Sequence, residues 1–280
     1  MSEPIPRAKS PGLMFSAARI FDLSVGEMLW SRRTIFMALV VGAPVFIALV
    51  VRFLVSLGAP VGQIDGVRMT GPGMFGLMIW VFYLRFTVPV LGVFYGTALI
   101  ADEVEDKTLT YLFTRPVRRG AVLLGKYLAY LAVTACVVLP SVVLVYLLIA
   151  PIGASLGQSF IPVVKDLVLL GLGLAVYGAV FALVGAQFKR PLLIGLIFIF
   201  GWEQAALAFP GYLKRFTVAY YLQSLVPHAM PQDGALSLIQ QIFRDTPGPG
   251  TSITWLAIIC LGSLALAMRA VERREYVLEQ

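Results

Sequence analysis

Six long apolar runs dominate the sequence, over about residues 34–55, 76–101, 121–149, 167–186, 191–209 and 253–268. Roughly 20 such residues wound into a helix match the thickness of a bilayer's hydrocarbon core. Inside that layer no water can satisfy the backbone, so a run of this length must close its own hydrogen bonds as a helix. Only 13% of the 280 residues are charged, about half the usual share of a soluble domain. That is too few to cover a water-facing surface. The expected fold class is therefore all-α, a polytopic membrane protein with six transmembrane helices. A soluble globule, a disordered chain and a secreted disulfide scaffold are excluded. The second run is long enough to tilt, and Pro89 inside it predicts a kink.

The polar segments between the runs set the domain order. The first dozen residues, MSEPIPRAKSPG, lack the basic start and apolar core of a signal peptide, and read as a short cytoplasmic tail. Residues 14–30 then follow a helical period. Met14, Ala17, Ala18, Phe21, Val25, Met28 and Leu29 share one face, against Ser16, Arg19, Gly26 and Glu27. Ile20, Leu23 and Trp30 break the pattern. Ending in Arg32-Arg33, this amphipathic helix is expected to lie in the membrane interface, the other reading being a helix packed on a soluble subunit. Phe21, Glu27 and Trp30 are its candidate interfacial residues.

Fifteen of the 22 Lys and Arg residues fall on the side that holds the two ends of the chain. Basic residues collect on the cytoplasmic side, so both termini are expected there, in a multi-pass protein of the inner (cytoplasmic) membrane. The net charge of +7 has the same explanation and implies no nucleic acid. The division is then a tail and interfacial helix (1–33), a six-helix transmembrane domain (34–268) and a cytoplasmic C-terminal tail (269–280). The transmembrane domain includes a cytoplasmic link over 102–120 and an outer loop over 210–252. That outer loop carries Tyr212, Tyr220 and Tyr221 and an amphipathic stretch, ALSLIQQIF (235–243), and is expected to rest on the outer membrane surface.

Little of the sequence suggests covalent or metal chemistry. Cys136 and Cys260 sit in apolar runs, and the single histidine, His228, lies in a loop. No catalytic or metal-ligating constellation follows. Residues 120–126, GAVLLGK, fit G-x-x-x-x-G-K, but Tyr127 stands where magnesium binding needs a Ser or Thr hydroxyl, and no strand precedes it. The glycines and Lys126 make better sense as the start of the third span. Two charges interrupt apolar runs, Arg85 in the second and Glu203 in the fifth. Placing such a charge mid-span costs about 2.5–3.5 kcal/mol on insertion scales. Each is either a polar contact lining a pathway or part of a structural pair. Gly92 and Gly96 on the second run, and Gly171, Ala175, Ala179, Gly178, Ala182 and Ala186 on the fourth, permit close helix approach.

The densest polar cluster is DEVEDKTLTYLFTRPVRRGAVLLGK (102–126). Acids open it and bases close it, which suits a helix dipole, and Pro116 disfavours helix at Arg115. Leu109, Leu112 and Phe113 give the segment an apolar face, so it reads as a docking helix for a partner, the other reading being a solvated charged loop that follows the positive-inside pattern.

With two flanking stretches, that cluster resembles a known family. Residues 96–126, GTALIADEVEDKTLTYLFTRPVRRGAVLLGK, are similar to the permease subunits of type-2 ABC exporters, as is FGWEQAALAFPGYLKRFTVAYYLQSL (200–225). The resemblance implies a permease that pairs with a second permease copy or homologue, and with cytoplasmic ATPase subunits that bind ATP and Mg. This chain itself would bind no cofactor and is expected not to be an enzyme. By the same match, Asp102, Glu103, Glu105, Lys107, Thr108, Arg115 and Pro116 fall in the ATPase-coupling region. Apolar span faces suggest an amphiphilic cargo: a lipid, a lipid-linked glycan or a drug. The principal alternative is an ion-coupled secondary transporter, which predicts inverted repeats around midplane charges; a membrane-embedded enzyme and a structural anchor are further ones.

Overall fold

A computed structural model describes residues 13–30, 32–59, 63–64, 67–68, 70–105, 119–152, 160–208, 212–226 and 247–273. Helix α1 (Leu13–Leu29) leads into α2 (Arg32–Ser56). Thr34 fixes the turn between them, its hydroxyl donating to the carbonyls of Met28 (2.7 Å) and Leu29 (3.0 Å). A two-residue antiparallel ribbon follows, β1 (Gln63–Ile64) with β2 (Val67–Arg68). It is a small departure from the all-α expectation, confined to the link between two helices.

The second apolar run forms one rod of alternating geometry. Helix α3 (Gly71–Met78) passes into a π-helical stretch (Ile79–Thr87), then α4 (Val88–Leu91), a second π stretch (Gly92–Gly96) and α5 (Ala98–Glu105). Pro89 explains the first change. Its ring has no N–H and would crowd the carbonyl of Arg85 in an α-helix. The wider π turn precedes it, with the Val88 N–H reaching back to the Tyr83 carbonyl. Beyond this rod come α6 (Arg119–Ile149) and α7 (Phe160–Gln187). The next helix starts at Pro191 as α8 (Pro191–Ile197), turns π-helical over Phe198–Glu203 and ends as α9 (Gln204–Ala208). A 3-10 turn (Tyr212–Phe216), the short α10 (Val218–Gln223) and the long α11 (Pro249–Arg273) complete the described chain.

Five of these helices are long and apolar enough to cross a membrane: Arg33–Ser56, Gly71–Ala101, Gly120–Ile149, Phe160–Gln187 and Pro249–Glu272. The sixth apolar run, Pro191–Ala206, is shorter. Burial separates central from peripheral helices. Some 67% of the Gly71–Ala101 apolar window is buried within the chain, against 28% for Arg33–Ser56 and 17% for Pro249–Glu272. The first and last long helices therefore keep most of their apolar surface outside the fold, which a water-soluble protein would not tolerate.

Helix α7 is the hub, packing on α6, α11, α8 and the rod. Small residues allow the contact. A Cβ added at Gly92 would stand 2.7 Å from Tyr177 Cβ, and one at Gly96 would stand 2.9 Å from Phe181 Cβ. The rod's glycines thus meet the fourth helix within one chain, whereas Gly171 has open space around it. Tyrosine hydroxyls tie the same helices: Tyr127 donates to the Ala175 carbonyl (2.8 Å) and Tyr130 to that of Leu174 (3.0 Å).

Candidate functional site

Glu203 lies roughly 18 Å along its helix from Pro191, at 1.5 Å per residue, and is 2% exposed. A buried carboxylate is tolerated only when its oxygens are hydrogen-bonded, and here three elements converge to do so. The hydroxyl of Tyr177, on α7, lies 2.9 and 2.8 Å from the two carboxylate oxygens and donates to them. The backbone N–H of Ala219, in the first turn of α10, donates to Oε1 at 3.2 Å. Tyr177 is held in turn by stacking on Phe181, with centroids 6.1 Å apart and planes 8° apart.

The carboxylate therefore caps α10, placing negative charge where the first N–H groups of a helix lack partners. Thr217 supplies the ordinary N-cap: its backbone is extended and its hydroxyl accepts from the Tyr220 N–H at 3.4 Å. All six residues of α10 are buried. A surface-lying outer segment was the sequence expectation for this region. Residues 218–223 instead pack inward, among α7, α11 and the first π stretch. Tyr221 stacks on Trp255 (6.3 Å, 24°), and the hydroxyls of Ser224 and Ser252 lie 2.7 Å apart. Residues 227–246, which include 235–243 and His228, lie outside the described residues.

Arg85 lies in the last turn of the first π stretch, half-buried. Its guanidinium donates to the side-chain oxygen of Gln204 and its Cζ lies 5.4 Å from the Trp80 ring centroid. Glu203 is near enough for its charge to act on Arg85, but each takes its hydrogen bonds elsewhere. The two charges singled out within apolar runs of the sequence therefore share one polar cluster, Arg85 with Gln204 and Glu203 with Tyr177. Nothing in the sequence pattern marked Tyr177, one of several tyrosines in apolar runs. Asp166, fully buried in the first turns of α7, was also passed over because it stands at the edge of its run.

The remaining sequence candidates fall into two groups. Asp102, Glu103 and Glu105 are on α5, the last turns of the rod. Their side chains, and Lys107, Thr108, Arg115 and Pro116, lie outside the described residues. At the N-terminus, α1 packs along the start of α6. The helices come close at Gly125, where an added Cβ would stand 2.6 Å from the Ala17 carbonyl and 2.9 Å from Ile20 Cβ. The packed face is centred on Ala17 and Ser24, with Phe21 half-buried; Leu23, Glu27 and Trp30 are exposed, Trp30 at 93%. Residues 120–126 are wholly helical, so GAVLLGK forms no phosphate-cradling loop. Its second glycine is where α1 crosses.

No curated protein sequence matches this chain. A family model described as ABC-2 family transporter protein matches residues 18–276, from within α1 to beyond the end of α11.

Proposed function

The chain belongs to the ABC-2 family of transporter proteins, as a membrane permease component, and on that premise we propose that it forms the export pathway of an ATP-driven transporter. In this reading all six apolar runs cross the inner membrane and both termini are cytoplasmic, as the basic residues at the Arg33, Lys126 and Arg190 end suggest. A second permease copy or homologue covers the apolar faces left exposed on α2 and α8. Separate ATPase subunits dock on the 102–120 link and beside α1, and supply the ATP and Mg chemistry. The cargo is an amphiphile: a lipid, a lipid-linked glycan or a hydrophobic drug.

The observation that carries this reading is the family match over almost the whole chain. The rod adds a physical route for coupling. Asp102, Glu103 and Glu105 are on the same continuous helix as Arg85, Gly92 and Gly96. A pull on its end would shift the contacts with Tyr177 and Gln204 midway along it. π turns interrupt that helix twice, and such turns are frequent at functional sites.

The test is co-purification from native membranes in mild detergent, with ATPase activity assayed. A Walker-motif subunit should be retained by the natural chain and lost from a Glu103→Lys, Arg115→Glu variant that still folds. A preparation without any ATPase, even after crosslinking in the membrane, would overturn the reading. Transport that collapsed with an ion gradient would then favour the ion-coupled carrier.

A further inference from the structure

Arg33 at the start of α2 and Lys189 and Arg190 ahead of α8 converge on a cavity of about 230 Å³, walled on its apolar side by Phe94, Leu192 and Leu193. A single water needs only about 10–15 Å³, so the space suits a headgroup-sized ligand. Among the described residues no carboxylate lines it, and Lys189 and Arg190 are exposed. Lys189 and Arg190, adjacent in the chain and both at the rim of the cavity, repel one another, and an anion between them relieves that repulsion.

The surroundings separate a free anion from a lipid. Leu193, Ile197 and Phe200 follow at i, i+4 and i+7, so they form one stripe down the helix away from the cations. All three are large apolar residues left exposed, at 52%, 70% and 50%. Basic pockets between transmembrane helices on the cytoplasmic side hold anionic headgroups. We infer that this cavity binds the phosphate headgroup of an anionic phospholipid from the cytoplasmic leaflet, its acyl chain lying along the Leu193–Ile197–Phe200 stripe. The inference rests on the proposed orientation but not on ATP coupling, so it can fail while that coupling stands, and the reverse.

The experiment is native mass spectrometry of the full-length chain in detergent, titrated with short-chain phosphatidylglycerol, phosphatidylcholine or inorganic phosphate. Phosphatidylglycerol should bind at least tenfold tighter than phosphatidylcholine. The Lys189→Gln, Arg190→Gln variant should lose that preference, since each cation near an anionic headgroup contributes about fivefold. An Arg52→Gln control, at the other end of α2, should keep it. Thermal melting of each variant, and the two single substitutions, separate lost binding from lost folding. Equal binding of the two lipids, or an unchanged preference in folded variants, would overturn the inference. Displacement of phosphatidylglycerol by millimolar phosphate would also overturn it, assigning the cavity to a soluble anion instead.

Discussion

The hydroxyl of Tyr177 sits between both carboxylate oxygens of Glu203, at 2.9 and 2.8 Å, and so joins α7 to the helix that begins at Pro191. Tyr177→Phe deletes that donor while keeping the ring on Phe181. A hydrogen bond to a charged group contributes about 1.5–3 kcal/mol, so unfolding in mixed micelles should become easier by about 2 kcal/mol. An unchanged denaturant midpoint would show that the bond contributes nothing.

At Glu203 itself, what matters is the acceptor. Glu203→Gln keeps an oxygen for the Ala219 N–H and should be the milder change, about 1 kcal/mol. Glu203→Ala removes the cap from α10 and leaves a cavity, with a loss of about 3 kcal/mol. Hydrogen exchange at the Ala219 amide should rise in the alanine variant and not in the glutamine one. Equal behaviour of the two would mean that the carboxylate's charge, not its geometry, is what the fold uses.

The rod and α7 touch through a glycine that cannot be enlarged. Gly96→Val places a branched side chain where even a Cβ meets Phe181 Cβ at 2.9 Å and the Gly178 carbonyl at 3.1 Å. Overpacking of this kind costs about 1–3 kcal/mol or more, and the expected result is a sharp drop in the yield of monodisperse protein. Gly171→Ala, with nothing within 4 Å of the added Cβ, should leave yield and melting unchanged. If both variants behave alike, the close approach at Gly96 is not the packing constraint.

This contrast shows what the sequence made legible. Apolar run length located the five helices long and apolar enough to cross a membrane and the shorter one from Pro191, because a bilayer leaves the backbone no other partner. Arg85 and Glu203 stood out because charges are rare in such runs. Tyr177 did not, since an amphipathic tyrosine among apolar neighbours looks the same whether or not its hydroxyl has a partner. Proline signalled a break near residue 89 but not the nine-residue π stretch before it, which depends on what packs around the rod. Small residues at 92 and 96 announced a close contact without naming its partner. Residues 218–223 were misplaced for a different reason. Their tyrosines suit a membrane surface, but the cap from Glu203 and the stack on Trp255 arise only once distant helices meet.

Gly125 makes a separate claim about α1. Gly125→Val should push the Ala17 carbonyl and Ile20 away from α6 while leaving the long helices intact. Limited proteolysis should then cut within residues 13–29 at least several-fold faster, with the bulk melting temperature little changed. Cleavage at the natural rate would mean that α1 is held by its turn into α2, where Thr34 bonds to Met28 and Leu29, more than by its docking on α6.

The last prediction concerns movement of the inward-packed segment. The hydroxyls of Ser224 and Ser252 lie 2.7 Å apart and link the end of α10 to the start of α11. In a chain with Cys136→Ala and Cys260→Ala, the Ser224→Cys, Ser252→Cys pair should oxidise readily, giving a disulfide between segments 28 residues apart. If α10 must separate from α11 to open the outward path, oxidised protein should lose nearly all transport and recover it on reduction. Under the proposed function, ATP hydrolysis by partner subunits would persist in part, uncoupled from cargo movement. Full transport by the oxidised form would show that α10 and α11 travel as one unit. The moving boundary would then lie at the Glu203 cap, and the Tyr177→Phe variant would be the one whose transport rate changes.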